Sequence, residues 1–266
     1  MYPRWQKLPL FFPPDALIRE VQAIPEEQWV PHFNTQDYEG HWSSLALCSA
    51  SGRTEDIFPS SSNTSFYNTP LYAEMPALRA VLEHFRFPLK SVRLLRLQSE
   101  STVREHRDRD LSLRDGELRL HVPIMTNEQV EFIVANRQLP LRAGEAWFID
   151  FSQPHRIYNR SSSPRVHLVI DGSLNEWAKE LLERAQREVV TETFPARGII
   201  EFERFCATAW QDQALMDRLR GITAPQALLE AVTREGQLRG FHFVQEDAAS
   251  ILRENREAWN LRTMNL

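Results

Sequence analysis

Six short segments between residues 91 and 171 carry brief apolar runs or apolar–polar alternation, a texture that leaves room for strands and little for helices. They cover residues 92–97, 118–124, 129–134, 146–150, 156–158 and 166–170. Arg114-Asp115-Gly116, Thr126-Asn127 and Arg142-Ala143-Gly144 supply turns between them. Many short strands with tight turns argue a sandwich or barrel. A double-stranded β-helix, the jelly-roll or cupin-like arrangement, suits this set. Upstream, the spacing predicts a helix over 16–24, capped by Asp15 and ended by Pro25, and strands between 29 and 47 around a turn at Gly40. A long polar loop over 49–69 follows. Met75, Leu78, Val81, Leu82 and Phe85 then recur at helical spacing, which predicts a core helix over 75–86.

The chemistry-bearing residues fall within the strand-rich stretch. His106 and Asp108 stand two positions apart, so an extended strand would point both to one side. Pro154-His155 follows, with 49 positions (155 minus 106) between the two histidines, and Arg165 comes ten later. Two histidines and one carboxylate form the facial set of non-haem iron(II) oxygenases, which leaves coordination positions open. An arginine held nearby can grip a dicarboxylate by a bidentate pair. H-x-D alone is a short pattern that arises by chance, and loops rich in Arg and Asp are usually solvated. The ordered set weighs more, because Arg165 opens the apolar run Val166-His167-Leu168-Val169-Ile170 and an arginine beside a buried strand needs an anionic partner.

Longer motifs surround these residues. They are W-V-P-H-F-N at 29–34, Y-E-G-H-W at 38–42, S-V-R-L-L-R-L at 91–97, H-R-D at 106–108 and R-L-H-V-P-I at 119–124. G-E-A-W-F-I-D at 144–150, P-H-R-I-Y-N at 154–159 and R-V-H-L-V-I-D at 165–171 complete them. Over about residues 28–171 the chain resembles the aspartyl/asparaginyl β-hydroxylase family of iron(II)/2-oxoglutarate dioxygenases and its bacterial cis-proline hydroxylase relatives. In part of that family a glycine stands where this sequence has Asp108, so the chain resembles the three-ligand branch. The resemblance implies a jelly-roll fold with Fe(II) on His106, Asp108 and His155. It also implies 2-oxoglutarate with its distal carboxylate on Arg165, and dioxygen at the last open position. Arg119 and His121 match the family's R-x-H, whose members contact the cosubstrate near the metal; for His121 a hydrogen-bonded core histidine is the alternative. The implied reaction couples decarboxylation of 2-oxoglutarate to succinate with hydroxylation of a C–H bond. Imidazoles must be neutral and the carboxylate ionised, so metal affinity should fall in acid. His167 shares a face with Arg165, with a structural role equally open; Trp147 reads as core. His32, Asn34 and Arg93 are candidates for the substrate mouth.

After Gly172 the period turns helical. Asn175 is placed to cap residues 176–189, and further helices are predicted over 201–210, 212–220, 225–234 and 246–256, with breaks at Gly236 and Gly240. Residues 198–256 resemble the helical leader-peptide-like domains of the nitrogen-fixation-associated and nitrile-hydratase-leader class. The match rests on F-E-R-F at 202–205, L-M-D-R-L at 215–219, L-L-E-A-V at 228–232, Gly236, G-F-H-F at 240–243 and Asp247. A small helical cap is the alternative. The expected division is a dioxygenase domain over 1–174 and a helical domain over 175–266.

Such leader-like domains recognise peptides, which favours an amino-acid hydroxylase acting on a peptide-bound residue. A free-amino-acid hydroxylase of the proline type, or a non-catalytic jelly-roll binding protein, are the alternatives; the intact ligand set and Arg165 weigh against the last. Thirty-one Lys and Arg against 36 Asp and Glu give a net charge of −5, with no footprint for nucleic acid. Cys48 and Cys206 lack metal spacing and read as free thiols of a reducing compartment. The first residues lack a signal-peptide pattern, and no apolar run approaches the ~18 residues of a membrane span. The expectation is a cytoplasmic enzyme without membrane contact. Substrate identity and oligomeric state have no signal in the sequence.

Overall fold

A computed structural model of the chain describes residues 2–59, 65–108 and 111–253. In chain order the strands are β1 (Trp5–Phe11), β2 (Val30–Pro31), β3 (Tyr38–Glu39), β4 (Trp42–Ser49), β5 (Tyr67–Asn68), β6 (Leu89–Leu97) and β7 (Ser101–His106). Then come β8 (Glu117–Met125), β9 (Val130–Val134), β10 (Arg137–Gln138), β11 (Glu145–Ile149), β12 (His155–Asn159), β13 (Arg165–Ser173) and β14 (Phe194–Pro195). The helices are α1 (Pro14–Ala23), α2 (Pro70–Glu74), α3 (Pro76–Leu82), α4 (Glu176–Glu188), α5 (Arg197–Ala209), α6 (Gln213–Arg220) and α7 (Pro225–Leu238). The described residues form two compact units. The first runs to Ala135 and resumes over Leu139–Glu192; the second joins Asn136–Gln138 to the residues from Thr193 onward.

In the first unit an antiparallel sheet runs β1-β11-β8-β13-β6-β4-β2, with β5 added on β4. A smaller antiparallel sheet runs β9-β12-β7-β3. The period of two explains how they pack. Leu118, Leu120 and Val122 of β8, Val166, Leu168 and Ile170 of β13, and Val92 and Leu94 of β6 share one face. That face forms a core with Leu17 and Val21 of α1, Leu78 and Leu82 of α3, and Leu181 and Leu182 of α4. Leu95, Leu97, Trp147, Ile149 and Val169 of the opposite face join Val103, Phe132, Val134 and Ile157 of the smaller sheet in a second core. Two antiparallel sheets face to face make the expected jelly roll. Burying a Leu or Phe side chain contributes about 1.5–3 kcal/mol. The inner face forgoes that gain where it holds Arg93, Arg119, His121, Arg165, His167 and Asp171, all buried.

Several elements differ from the sequence expectation. β1 is an edge strand on β11, with Trp5 opposite Ile149, where no strand was expected. β7 was not expected as a strand, although it carries His106. The helix expected over 75–86 is the shorter α3, and an unexpected helix, α2, precedes it; Pro76 at the start of α3 lacks the N–H that would let the two run on as one. Asp15 lies inside the first turn of α1; Pro13 occupies the cap and Pro14 the first helical position. Asn175 does cap α4, accepting from the Ala178 N–H at 3.0 Å. α4 was placed in the helical domain by the division at 174, yet it belongs to the first unit. Ala178, Leu181, Leu182 and Ala185 enter the sheet–helix core, and Gln6 of β1 donates to the Ala185 carbonyl at 3.2 Å.

The second unit pairs β10 with β14 and packs α5–α7 around Phe202, Phe205, Ala209, Leu215, Val232, Phe243 and Ala248. Asp212 caps α6 by accepting from Leu215 N–H at 2.9 Å. α7 runs through Gly236, where a break was expected, because the missing side chain lets the Phe243 ring lie against the helix. Residues 245–253 are helical; 254–256 of the expected last helix lie outside the described residues, as do 60–64 of the long loop. Among the described residues no helix is long and apolar enough to cross a membrane.

Candidate metal centre

The two histidines come together by strand register. β7 and β12 pair antiparallel with His106 directly opposite His155, and the ring centroids lie 4.2 Å apart. Each ring is oriented by the backbone two residues earlier. His106 Nδ1 meets the Arg104 carbonyl at 2.8 Å, and His155 Nδ1 meets the Gln153 carbonyl at 3.0 Å. A carbonyl only accepts, so both Nδ1 atoms carry the proton and both Nε2 atoms keep a lone pair. That is the arrangement in which an imidazole binds a metal through one nitrogen and is fixed through the other. Burial pushes His155 down to about 4, against the pull of Asp108, and so keeps it neutral at neutral pH.

Asp108 follows the end of β7, held by its N–H donating to the Phe151 carbonyl at 2.9 Å. Its Oδ1 is 3.6 Å from His106 Nε2, and one ligand atom from each of His106, Asp108 and His155 lies within 4.8 Å of the others. Its Oδ2 is ion-paired to Arg119. Burial raises the Asp108 carboxyl, but Arg119 and then the two histidines outweigh it and leave it below its ordinary value. The carboxylate is therefore ionised, as a metal ligand must be.

Arg119 was expected to contact a cosubstrate; it lines the cavity, with its guanidinium engaged by two carboxylates. Its Nε donates to Asp171 Oδ1 at 2.5 Å, one terminal nitrogen donates to Asp171 Oδ2 at 2.9 Å, and the other pairs with Asp108. Asp171 also accepts from Arg93 at 2.8 Å. Sequence reasoning missed Asp171, although its spacing from Arg165, Arg165-x-His167-x-Val169-x-Asp171, put it on the same face.

Arg165 opens β13 and is 1% exposed. One terminal nitrogen donates to His167 Nδ1 at 2.6 Å, and the guanidinium lies 5.4 Å from the Phe132 ring. Its Nε has no partner, and it pairs with no carboxylate among the described residues. Burial pushes it down to about 9, still charged at neutral pH. A buried, charged and uncompensated arginine is costly unless an anion joins it. His121 stacks on Phe151 with centroids 4.9 Å apart, and its Nδ1 is 3.2 Å from His167 Nδ1. Because His167 Nδ1 accepts from Arg165, the proton between the histidines belongs to His121 Nδ1, and His121 Nε2 is left without a partner.

One cavity of about 510 Å³ is lined by His106, Asp108, His155, Arg119, His121 and Arg165 together. His32, Asn34 and Arg93, the candidates for the substrate mouth, also line it. His32 is sandwiched between Trp42 at 3.5 Å and Phe33 at 4.5 Å, and burial pushes it down to about 3. Trp147 is core, its indole N–H on Glu145 at 2.9 Å. Cys48 and Cys206 are free thiols.

The donor set of two imidazole nitrogens and one carboxylate oxygen suits a first-row divalent metal. The unsatisfied Nε of the buried Arg165 suits an anionic, oxygen-rich ligand beside it. The fold and this site define a jelly-roll protein in which three side chains that could hold a metal ion share a cavity with a buried arginine. Residues 15–173 match the aspartyl/asparaginyl β-hydroxylase family, and the chain belongs to that family. It is similar to the L-proline cis-4-hydroxylase of Rhizobium meliloti (strain 1021), with 28% identity over 154 residues, 57% of this chain and 55% of the relative. The match thus spans about half of that relative's length. Among solved structures, a Pseudomonas putida prolyl-4-hydroxylase shares 14% identity over 65% of this chain and 93% of its own, with a TM-score of 0.39. A Burkholderia pseudomallei oxidoreductase of the 2OG-Fe(II) oxygenase family shares 12% identity over 60% and 80%, with a TM-score of 0.41.

Proposed function

We propose that the chain is an Fe(II)- and 2-oxoglutarate-dependent dioxygenase that hydroxylates an amino-acid residue, aspartyl/asparaginyl β-hydroxylase-like and peptide-bound. The observation that carries this reading is the conjunction, in one cavity, of three convergent donor atoms and a buried arginine that has no carboxylate partner among the described residues. His106 and His155 would bind iron through Nε2, Asp108 through its carboxylate. Arg165 would take the distal carboxylate of 2-oxoglutarate by its planar fork, with His167 holding one arm of that fork in place. His121 would form part of the wall of the cosubstrate pocket. Arg119 stands behind Asp108, so its contribution to the cosubstrate is indirect. When bound, iron and 2-oxoglutarate supply oxidation by dioxygen, with succinate and carbon dioxide as coproducts and a hydroxylated carbon on the substrate. The apolar side chains of Leu95, Phe151 and Ile157 line the same cavity.

The peptide-bound substrate rests on the leader-like character of residues 198–256. The similarity to an L-proline cis-4-hydroxylase favours a second reading, hydroxylation of a free amino acid. The free thiols suit a reducing compartment, and we place the enzyme in the cytoplasm. The test is succinate release by the full chain, loaded anaerobically with Fe(II) and given 2-oxoglutarate, dioxygen and panels of peptides and free amino acids. Peptides should stimulate release stoichiometrically with hydroxylation, and His106→Ala should abolish it. Turnover of free amino acids with inert peptides would establish the second reading instead. No stimulated release from either panel would refute both.

A further inference from the structure

Behind the proposed ligands, the inner face of the larger sheet carries a charge network anchored on one carboxylate. β13 lies between β8 and β6, and its register sets Asp171 opposite Arg119 and Val169 opposite Arg93. Asp171 therefore stands between two arginines, all three buried. It accepts from Arg93 at 2.8 Å and takes two bonds from Arg119, at 2.5 and 2.9 Å. Without it, two guanidiniums would face each other in a poorly solvated interior, a costly arrangement. With both oxygens of Asp171 engaged, Arg119 has a fixed plane and a single direction left for its remaining terminal nitrogen. That nitrogen reaches Asp108.

Asp108 needs such an anchor. It lies beyond the last residue of β7, and its backbone N–H is tied to Phe151, but that bond does not fix the carboxylate torsion. Among the described residues, Arg119 and the rings of His106 and His155 face the carboxylate, and Arg119 is the one that hydrogen-bonds it. We propose that Asp171 is a positioning residue of the metal centre, acting through Arg119 to aim the Asp108 carboxylate at the point where the two histidines converge. The inference rests on the reading of His106, Asp108 and His155 as metal ligands. Groups behind metal ligands typically alter metal affinity 10- to 100-fold. Asp171 acts one bond further back, so the lower end of that range, about tenfold, is expected.

The experiment is a Co(II) titration of the full-length metal-free chain, read by the visible absorption bands and by calorimetry. Four proteins form a cycle: the natural chain, Asp171→Asn, Asp108→Ala and the double variant. Asp171→Asn should weaken Co(II) binding about tenfold and change the band shape while Asp108 is present, and should have almost no further effect once Asp108 is gone. Unchanged affinity in Asp171→Asn, or an equal loss with and without Asp108, would overturn the proposal, because a merely structural network does not care whether Asp108 is there. Should Asp171→Asn fail to fold, Arg119→Lys carries the same cycle, since lysine keeps the charge but cannot bond both carboxylates at once. His106→Ala is the control on the underlying reading. If it leaves Co(II) affinity intact, the ligand assignment fails, and the role of Asp171 fails with it.

Discussion

Arg165 poses the sharpest residue-scale question, because its charge sits in the barrel with an imidazole and a phenyl ring for company. Lysine would carry the same charge to the same place. It would not carry the planar fork that meets both oxygens of a carboxylate. Arg165→Lys should therefore weaken 2-oxoglutarate binding while leaving Co(II) binding alone. Loss of one charge-assisted hydrogen bond of about 1.5–3 kcal/mol corresponds to roughly 10- to 100-fold in affinity. Calorimetric titration of the Co(II)-loaded variant with 2-oxoglutarate measures it. An unchanged dissociation constant would remove Arg165 from the cosubstrate site. A loss of Co(II) affinity would show that the substitution had disturbed the histidines instead. His167 shares the outcome, since it is the only side chain that the described structure hydrogen-bonds to Arg165.

At the scale of elements, the inward stripes of β8 and β13 set a pH dependence. Burial, then the charge of Arg165, holds both His121 and His167 well below the ordinary histidine value; Arg119, His155 and Arg93 add to this at His121. Both are neutral when folded, whereas in the unfolded chain they take up a proton below about 6.5. The unfolded state thus binds more protons in acid, and stability rises with pH through that window. The contribution is fully present above about pH 6.5 and is lost as pH falls, by up to about 1.4 kcal/mol per pH unit for each histidine. Urea denaturation of the metal-free chain at pH 7, 6 and 5 should show this decline, and His167→Gln should flatten it; an equal slope in the variant would contradict it. The same two strands were the most legible in the sequence, because their outer faces are continuous apolar sets. β7 was not, since its pattern is half-exposed and only Val103 enters the core, yet H-x-D still marked it by chemistry. β1 contains Pro9, which argues against a central strand but is tolerated at the edge where β1 lies. The partners of Arg119 were hidden for a different reason. Spacing within β8 gives the face, but Asp171 is 52 residues away, and only the β8–β13 register brings it opposite.

For the whole molecule, the question is what the second compact unit contributes to an enzyme whose candidate site residues all belong to the first. If residues 198–256 recognise peptide, recognition and chemistry are separable in a chain ending at Glu192. Such a truncation should keep the Co(II) and 2-oxoglutarate affinities of the full chain and its slow, substrate-free release of succinate. It should raise the KM for a peptide substrate by roughly tenfold or more, the size of a lost 1.4 kcal/mol of binding, while kcat at saturation changes little. A modest stability cost is expected as well. Residues 136–138 would lose β14, and Arg137 would lose its bonds to Thr193, at 3.1 Å to the hydroxyl and 2.6 Å to the carbonyl. A loss of about 1 kcal/mol lowers the melting temperature of a domain this size by roughly 2–4 °C. The two measurements separate the roles. A raised peptide KM with a small thermal shift supports recognition, and a large thermal shift with unchanged KM assigns the helices a structural part. A truncated chain that melts and turns over every peptide as the full chain does would leave the second unit with neither role, and the peptide-bound reading would lose its support.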